Sequence, residues 1–153
     1  MAQIEGLRET GEKVRSESGP NGTTIWYAQA GAVGRDPKVE LYDFLPKGLA
    51  IQEGDTVVWT SPVFHNVVFH PEQDSPPFMV PKPQAQGPPH LTIDPVSLFP
   101  SKPGVEFDGT GLWSSGLIGV SGGGELPGGS NFTMTFSKAG TYAYVCTIHK
   151  ELG

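Results

Sequence analysis

The sequence contains a single cysteine among its 153 residues. An intramolecular disulfide is therefore excluded, and the thiol of Cys146 is left either for core packing or for chemistry. Charged residues make up only 17% of the chain, and the net charge is −6. Nucleic acid is not expected as a partner, because contact with phosphates needs a basic surface.

Long apolar runs are also missing. No stretch approaches the roughly 20 apolar residues that a membrane-spanning helix requires, so we expect no membrane span in this chain. The first residues, Met1 to Glu5, lack the basic-then-apolar pattern of a signal peptide. Two interpretations stay open: a cytosolic protein, or a protein whose signal or anchor is not part of this sequence.

Glycine and proline are abundant, with 21 and 15 copies. Both residues are poor in helix interiors, which argues against a helical bundle and favours short strands joined by turns. Strand-like segments carry β-branched and aromatic residues or alternate apolar with polar positions. They lie at 23–27, 39–44, 56–60, 66–70, 132–136 and 142–146.

These segments predict an all-β fold, a Greek-key β-sandwich over residues 23–153. Residues 3–15 are expected to form a short helix, and Gly-Pro-Asn-Gly at 19–22 marks a boundary. We therefore interpret residues 1–22 as a tail or linker.

The middle of the chain is different. Ten prolines fall within 71–104, and proline cannot donate to a central β-ladder. Glycines at 119, 122–124, 128 and 129 indicate a second loop. Residues 71–129 are thus predicted to be a long Pro/Gly-rich insertion.

The chemistry is suggested by Cys146 and His149, which are separated by two residues at the end of a predicted strand. His65 follows another strand, in a loop distant in sequence. Two imidazoles and one thiolate form the trigonal ligand set of an electron-transfer copper site. A structural zinc site usually needs four ligands, with more cysteine.

Three segments in this order resemble the plastocyanin/azurin family of cupredoxins. They are Gly-Asp-Thr-Val-Val-Trp at 54–59, His-Asn-Val-Val-Phe at 65–69, and Gly-Thr-Tyr-Ala-Tyr-Val-Cys-Thr-Ile-His at 140–149. The resemblance covers roughly residues 35–70 and 130–153. The Pro/Gly-rich middle is unlike the small members of the family.

The resemblance implies a blue (type 1) copper protein that transfers electrons and is not an enzyme. It makes His65, Cys146 and His149 the copper ligands, and it gives Asn66 the role of tying the two ligand loops together near the cysteine sulfur. His149 would be the electron exit. Phe64, Ile148 and Leu152 would form an apolar patch for transient redox partner proteins, in an extracytoplasmic compartment.

One departure concerns the axial ligand, a methionine that the family places five residues after the second histidine. Here that methionine is expected at position 154, just after Gly153, and the family's final strand is also not included in the sequence. We expect the protein to be longer. Otherwise the axial position could be empty, or filled by water, the Phe64 carbonyl, another chain, Met79 or Met134, although Met134 is expected in the core.

Three alternatives stay open. A multicopper oxidase or nitrite reductase domain normally has histidine directly after the cysteine, where this chain has Thr147. Copper-delivery proteins tend to carry Met- and His-rich clusters, which are not seen here. A binding domain with an incomplete metal site is the third.

His70 is expected on the face opposite His65, exposed and not a ligand, and His90 in a surface loop.

Overall fold

The computed structural model describes residues 1–70, 74–101, 106–121 and 124–150. The two helices are α1 (Ala2–Gly11) and α2 (Pro95–Leu98), and a 3-10 turn covers Pro20–Gly22. The strands are β1 (Arg15–Ser18), β2 (Thr24–Val33), β3 (Glu40–Leu45), β4 (Thr56–Thr60), β5 (Val68–Phe69), β6 (Met79–Lys82), β7 (His90–Ile93), β8 (Glu106–Phe107), β9 (Trp113–Ser114), β10 (Val120–Ser121), β11 (Gly124–Glu125), β12 (Asn131–Phe136) and β13 (Tyr144–Val145).

A six-stranded mixed sheet forms the larger part of the fold. Its order is β1-β2-β4-β12-β8, and β3 also pairs with β2. The β2–β4 and β12–β8 pairs are parallel, and the others are antiparallel. A second sheet has the order β13-β5-β9, and two hairpins, β6–β7 and β10–β11, stand apart. The predicted β class is confirmed, since strands hold 38% of the residues and helices 13%.

The main core cluster joins the six-stranded and three-stranded sheets. Trp59 of β4, 1% exposed, lies 5.9 Å from the Phe69 ring of β5 and 5.4 Å from the Tyr144 ring of β13. The predicted alternation in β12 is confirmed, because Met134 and Phe136 are both buried in this cluster. Apolar burial on this scale is the main term that favours folding.

A second, smaller cluster lies under α1. Ile4 and Leu7 of the helix pack against a group of buried residues on β2 and β3: Ala32, Leu41 and Leu45. Arg8 also forms an ion pair with Asp43 at 2.8 Å. Neither described helix is long and apolar enough to cross a membrane.

Residues 1–22, expected to be a tail or linker, thus include a helix that packs on the sheet and a strand, β1, that pairs with β2. The division of the chain at residue 22 stays a prediction, as does the final strand beyond residue 153.

The proline-rich segment stays out of the large sheet over residues 74–101. It contributes β6 and β7, which pair only with each other among the described strands, and α2. Asp94 caps α2 by accepting a hydrogen bond from the backbone N–H of Val96 at 2.9 Å, and Pro95 occupies the first turn. The glycine-rich loop is not entirely irregular, because it includes the β10–β11 hairpin.

Candidate metal centre

The pairing of β5 with β13 places the two predicted ligand loops side by side. The strands are antiparallel, with Val145 opposite Val68. Continuing this register by two residues brings Thr147 opposite Asn66. His65 and Cys146, each next to one of these residues, therefore meet at the same end of the sheet although they are 81 positions apart.

Backbone hydrogen bonds and a closely packed glycine fix the position of His65. His65 and Ile118 exchange two backbone hydrogen bonds, of 3.1 and 2.8 Å. On another side lies Gly31, at the bulge where the β2–β3 register shifts. A Cβ at Gly31 would lie 2.6 Å from Nε2 of His65, so only glycine leaves room for the imidazole. Its φ of +80° is also one that side-chain-bearing residues rarely adopt.

Three potential ligand atoms converge at this point. Nδ1 of His65 lies 3.6 Å from Sγ of Cys146 and 3.1 Å from Nδ1 of His149. All three ligand atoms lie within 4.8 Å of one another. His65 and Cys146 are fully buried, whereas His149 is only partly buried. Among the described residues, no other His, Cys, Asp or Glu belongs to this group.

The electrostatics keep His65 neutral. Burial, and to a lesser degree the positive charge of a protonated His149, lower the pKa of His65 to about 4, while Glu40 acts in the opposite direction. Near pH 7 the imidazole is therefore uncharged. A neutral imidazole has the free lone pair that a metal ligand needs.

The donor set fits a metal ion. A metal ion such as zinc lies about 2.0 to 2.3 Å from each nitrogen or sulfur ligand, so three ligand atoms around one ion are roughly 3.5 to 4 Å apart from one another. The distances between the three ligand atoms here are comparable. When deprotonated, the two imidazole nitrogens and the sulfur each have a lone pair, and one cation between them would bind all three lone pairs. The buried His-Cys-His group could therefore hold a metal ion.

A buried hydrogen-bond network supports the ligand loops. Asn66 accepts from the backbone N–H of Thr147 at 2.8 Å, and its amide donates to Thr147 Oγ1 at 2.7 Å and to the Ser97 carbonyl at 3.0 Å. The Thr147 hydroxyl donates to Ser97 Oγ at 2.9 Å. Asn66 thus links the loops of His65 and Cys146, and Ser97 connects α2 to both.

Tyr42 of β3 covers one face of His149. The two rings are stacked, with centroids 4.4 Å apart and planes 11° apart. The phenol oxygen lies 2.6 Å from Glu40 Oε2. Because it donates to this carboxylate, the pKa of Tyr42 is raised, and the phenol stays protonated.

The three residues of the expected docking patch take different positions. Phe64 is 46% exposed, and Ile148 is partly buried and packs against the main core. Leu152 lies outside the described residues. The docking patch therefore stays a prediction.

The axial ligand stays unassigned. Gly153, just after which the axial methionine is expected, lies outside the described residues, so the structure does not test that expectation. Of the two methionines considered as substitutes, Met134 is in the core, as predicted, and Met79 is 40% exposed on β6.

The two remaining histidines do not join the group. His90 is exposed, on β7 instead of in the predicted loop. His70 is half-buried, so the expectation that it is exposed was wrong. It directly follows β5, whose two residues are both buried in the core, and that burial extends to the end of the strand.

Sequence reasoning missed Gly31, Tyr42 and Ser97. The Asp-Pro pair at 94–95 is a helix-start signal that could have located α2, but nothing local shows that Ser97 meets Thr147. Tyr42 and Phe44 share a face of β3 by the two-residue period, and Phe44 packs against Tyr144 in the core. That period could have placed Tyr42 on the inner face, but not against His149.

Comparison of the chain with protein-family models, with curated proteins and with solved structures found no match.

Proposed function

We propose that this protein binds one copper ion through His65, Cys146 and His149 and transfers single electrons by cycling it between Cu(I) and Cu(II). The observation that carries the proposal is the convergence of one thiol and two imidazoles in a largely buried group. A two-histidine, one-cysteine set is typical of type 1 copper electron-transfer sites.

The donor set favours copper over structural zinc. Structural zinc sites are almost always closed by four protein ligands, and three are found in the described part of this chain. Thiolate and imidazole together also suit copper better than the oxygen-binding cations.

Bound copper would supply the one-electron couple. The residues hold the ligands so that they need not move when the charge of the site changes. His65 is fixed by Ile118 and Gly31, and Cys146 by the Asn66–Thr147 hydrogen bonds. Partly buried His149 is the ligand nearest to solvent and is the proposed electron exit.

The arrangement of the sheets is compatible with a cupredoxin-like Greek-key sandwich, because the two main sheets share one core. With the three ordered motifs, it supports the resemblance to the plastocyanin/azurin family. We propose accordingly that the protein is a carrier and not an enzyme, that it works outside the cytoplasm, and that its redox partners bind briefly near Phe64 and Ile148. Redox encounters of this kind use small interfaces.

The test is a titration of the purified chain with Cu(II), followed by visible spectroscopy. Copper bound through the Cys146 thiolate should produce an intense thiolate-to-copper absorption at one copper per chain. The Cys146→Ser variant should lose this absorption, and His65→Ala should lose it or weaken it strongly.

His90→Ala is the matched control, because His90 is exposed and lies outside the ligand group. It should bind copper with an unchanged spectrum. A chain that binds copper without the absorption, or that keeps the absorption in Cys146→Ser, would contradict the proposal. Release of the copper on every reduction would instead favour a copper-delivery function.

A further inference from the structure

The ring of Tyr42 lies flat against the ligand that is most open to solvent. Its centroid is 4.4 Å from that of His149, with an angle of 11° between the planes. It also makes a T-shaped contact with His65, with centroids 6.0 Å apart and planes at 68°. Tyr42 is itself 46% exposed, so its ring borders both the two imidazoles and the solvent.

Two features of β3 bear on the position of this ring. The phenol hydroxyl donates to Glu40 Oε2 at 2.6 Å, two residues earlier on the same strand. Two residues later, Phe44 is buried and packs against Tyr144 with centroids 4.7 Å apart. Because alternate residues of a strand share a face, the burial of Phe44 directs Tyr42 toward the ligand group.

Among the three ligands, His149 is the one that is only partly buried. Cys146 and His65 are fully buried, and their loops are held by the β5–β13 ladder and by the Ile118 bridge. His149 lies beyond the end of β13, where the ring of Tyr42 stacks on it. A stacked ring limits rotation of the imidazole about its last side-chain bond, which is otherwise broad and soft.

We propose that Tyr42 is a positioning residue that holds His149 with Nδ1 directed at the other two ligands and thereby slows loss of the metal. The inference rests on the proposed function as far as the metal is concerned, whereas the orientation of His149 can be tested in the metal-free protein. Stacked aromatic pairs contribute enough to change a rate or an equilibrium by between about twofold and tenfold.

The experiment compares Tyr42→Leu, which removes the stacked ring, with Tyr42→Phe, which keeps the ring and loses only the hydroxyl. Tyr27→Leu is the matched control, since Tyr27 also donates to a glutamate, Glu17, at 2.6 Å, on the β1–β2 pair. Two quantities are measured. One is the strength of the nuclear Overhauser effects between the His149 and His65 rings in the metal-free chain, and the other is the rate at which a chelator removes copper.

In the wild type, Tyr27→Leu and Tyr42→Phe, the His149 ring should show nuclear Overhauser effects to the His65 ring, whose centroid lies 4.9 Å away. Tyr42→Leu should weaken these effects and release copper about two to ten times faster. The proposal is overturned if Tyr42→Leu matches the wild type in either measurement. A wild-type chain that binds no copper would contradict the proposed function, while the NMR comparison would still decide whether Tyr42 orients His149.

Discussion

At the scale of single residues, the space around His65 depends on a glycine in a different part of the chain. Gly31 has a φ of +80° and faces Nε2 of His65 at the β2 bulge. Its role depends on a close approach between residues 34 positions apart. No local pattern in the sequence reveals this, whereas the ligand residue types and their spacing are visible directly.

Gly31→Ala is expected to displace His65 and weaken copper binding. The new Cβ would lie 2.6 Å from Nε2, and the positive φ adds strain. We expect the free energy of unfolding to fall by about 2 kcal/mol or more, as measured by urea denaturation, and the copper absorption to weaken.

The Gly22→Ala variant separates the effect of backbone strain from the effect of the close contact with His65. Gly22 has nearly the same φ, +77°, but no atom within 4 Å of its added Cβ. It should lose some stability from strain and keep the copper spectrum. Equal loss of the spectrum in both variants would contradict the role of Gly31.

The buried imidazole of His65 predicts how the stability of the metal-free protein depends on pH. Burial, together with the charge of His149, lowers the pKa of His65 in the folded state to about 4, below its ordinary value of 6.5. The unfolded chain therefore binds more protons between these pH values. His65 then destabilises the folded state as the pH falls from 6.5 to 4, by up to about 3 kcal/mol.

Urea denaturation of the metal-free chain at several pH values measures this effect. The His65→Asn variant should lose less stability between pH 7 and pH 4 than the wild type, whatever its stability at pH 7. Parallel curves for the two proteins would show that His65 does not titrate in this way.

At the scale of secondary-structure elements, the proline-rich segment supports the ligand loops. Proline content correctly predicts that residues 74–101 stay out of the large sheet. It does not predict that α2 inserts Ser97, which is fully buried, against Asn66 and Thr147. Such a contact depends on tertiary packing between residues 31 and 50 positions apart.

Ser97→Ala should therefore affect the copper site as well as the segment. The substitution leaves the buried Thr147 hydroxyl without its acceptor, at a cost of about 1–3 kcal/mol, and loosens the loop that carries Cys146. We expect lower stability in urea and a shifted or broadened copper absorption.

Ser75→Ala is the control within the same segment, because the one bond of its hydroxyl to the described residues is a long one of 3.5 Å, to the Pro76 carbonyl. It should behave like the wild type. If Ser97→Ala and Ser75→Ala have the same copper spectrum and stability, α2 does not support the site.

At the scale of the whole molecule, the sequence was sufficient to predict the β class and the grouping of His65, Cys146 and His149. Alternation of apolar and polar residues, as in β12, indicated the β class, and the order of the three motifs indicated the ligands. The packing of α1 on the sheet was not predicted. The helix packs on the sheet through two apolar residues, Ile4 and Leu7, and their partners Leu41 and Leu45 lie more than 30 positions later, on β3.

Several elements of the fold meet at the ligand group. The two sheets share one core, and the ligand loops, Tyr42 and α2 meet around the ligand group at the end of the β5–β13 ladder. A site held by several separate elements should keep its ligands in place when the charge of the bound ion changes. We therefore expect bound copper to stay in place when it is reduced.

A spectroscopic redox titration of the copper-loaded chain measures whether the site transfers electrons. We predict that the thiolate-to-copper absorption disappears on uptake of a single electron per copper and returns on oxidation, over repeated cycles and without loss of copper to a chelator. Failure of the absorption to return, or release of copper when it is reduced, would show that the site is not an electron-transfer site.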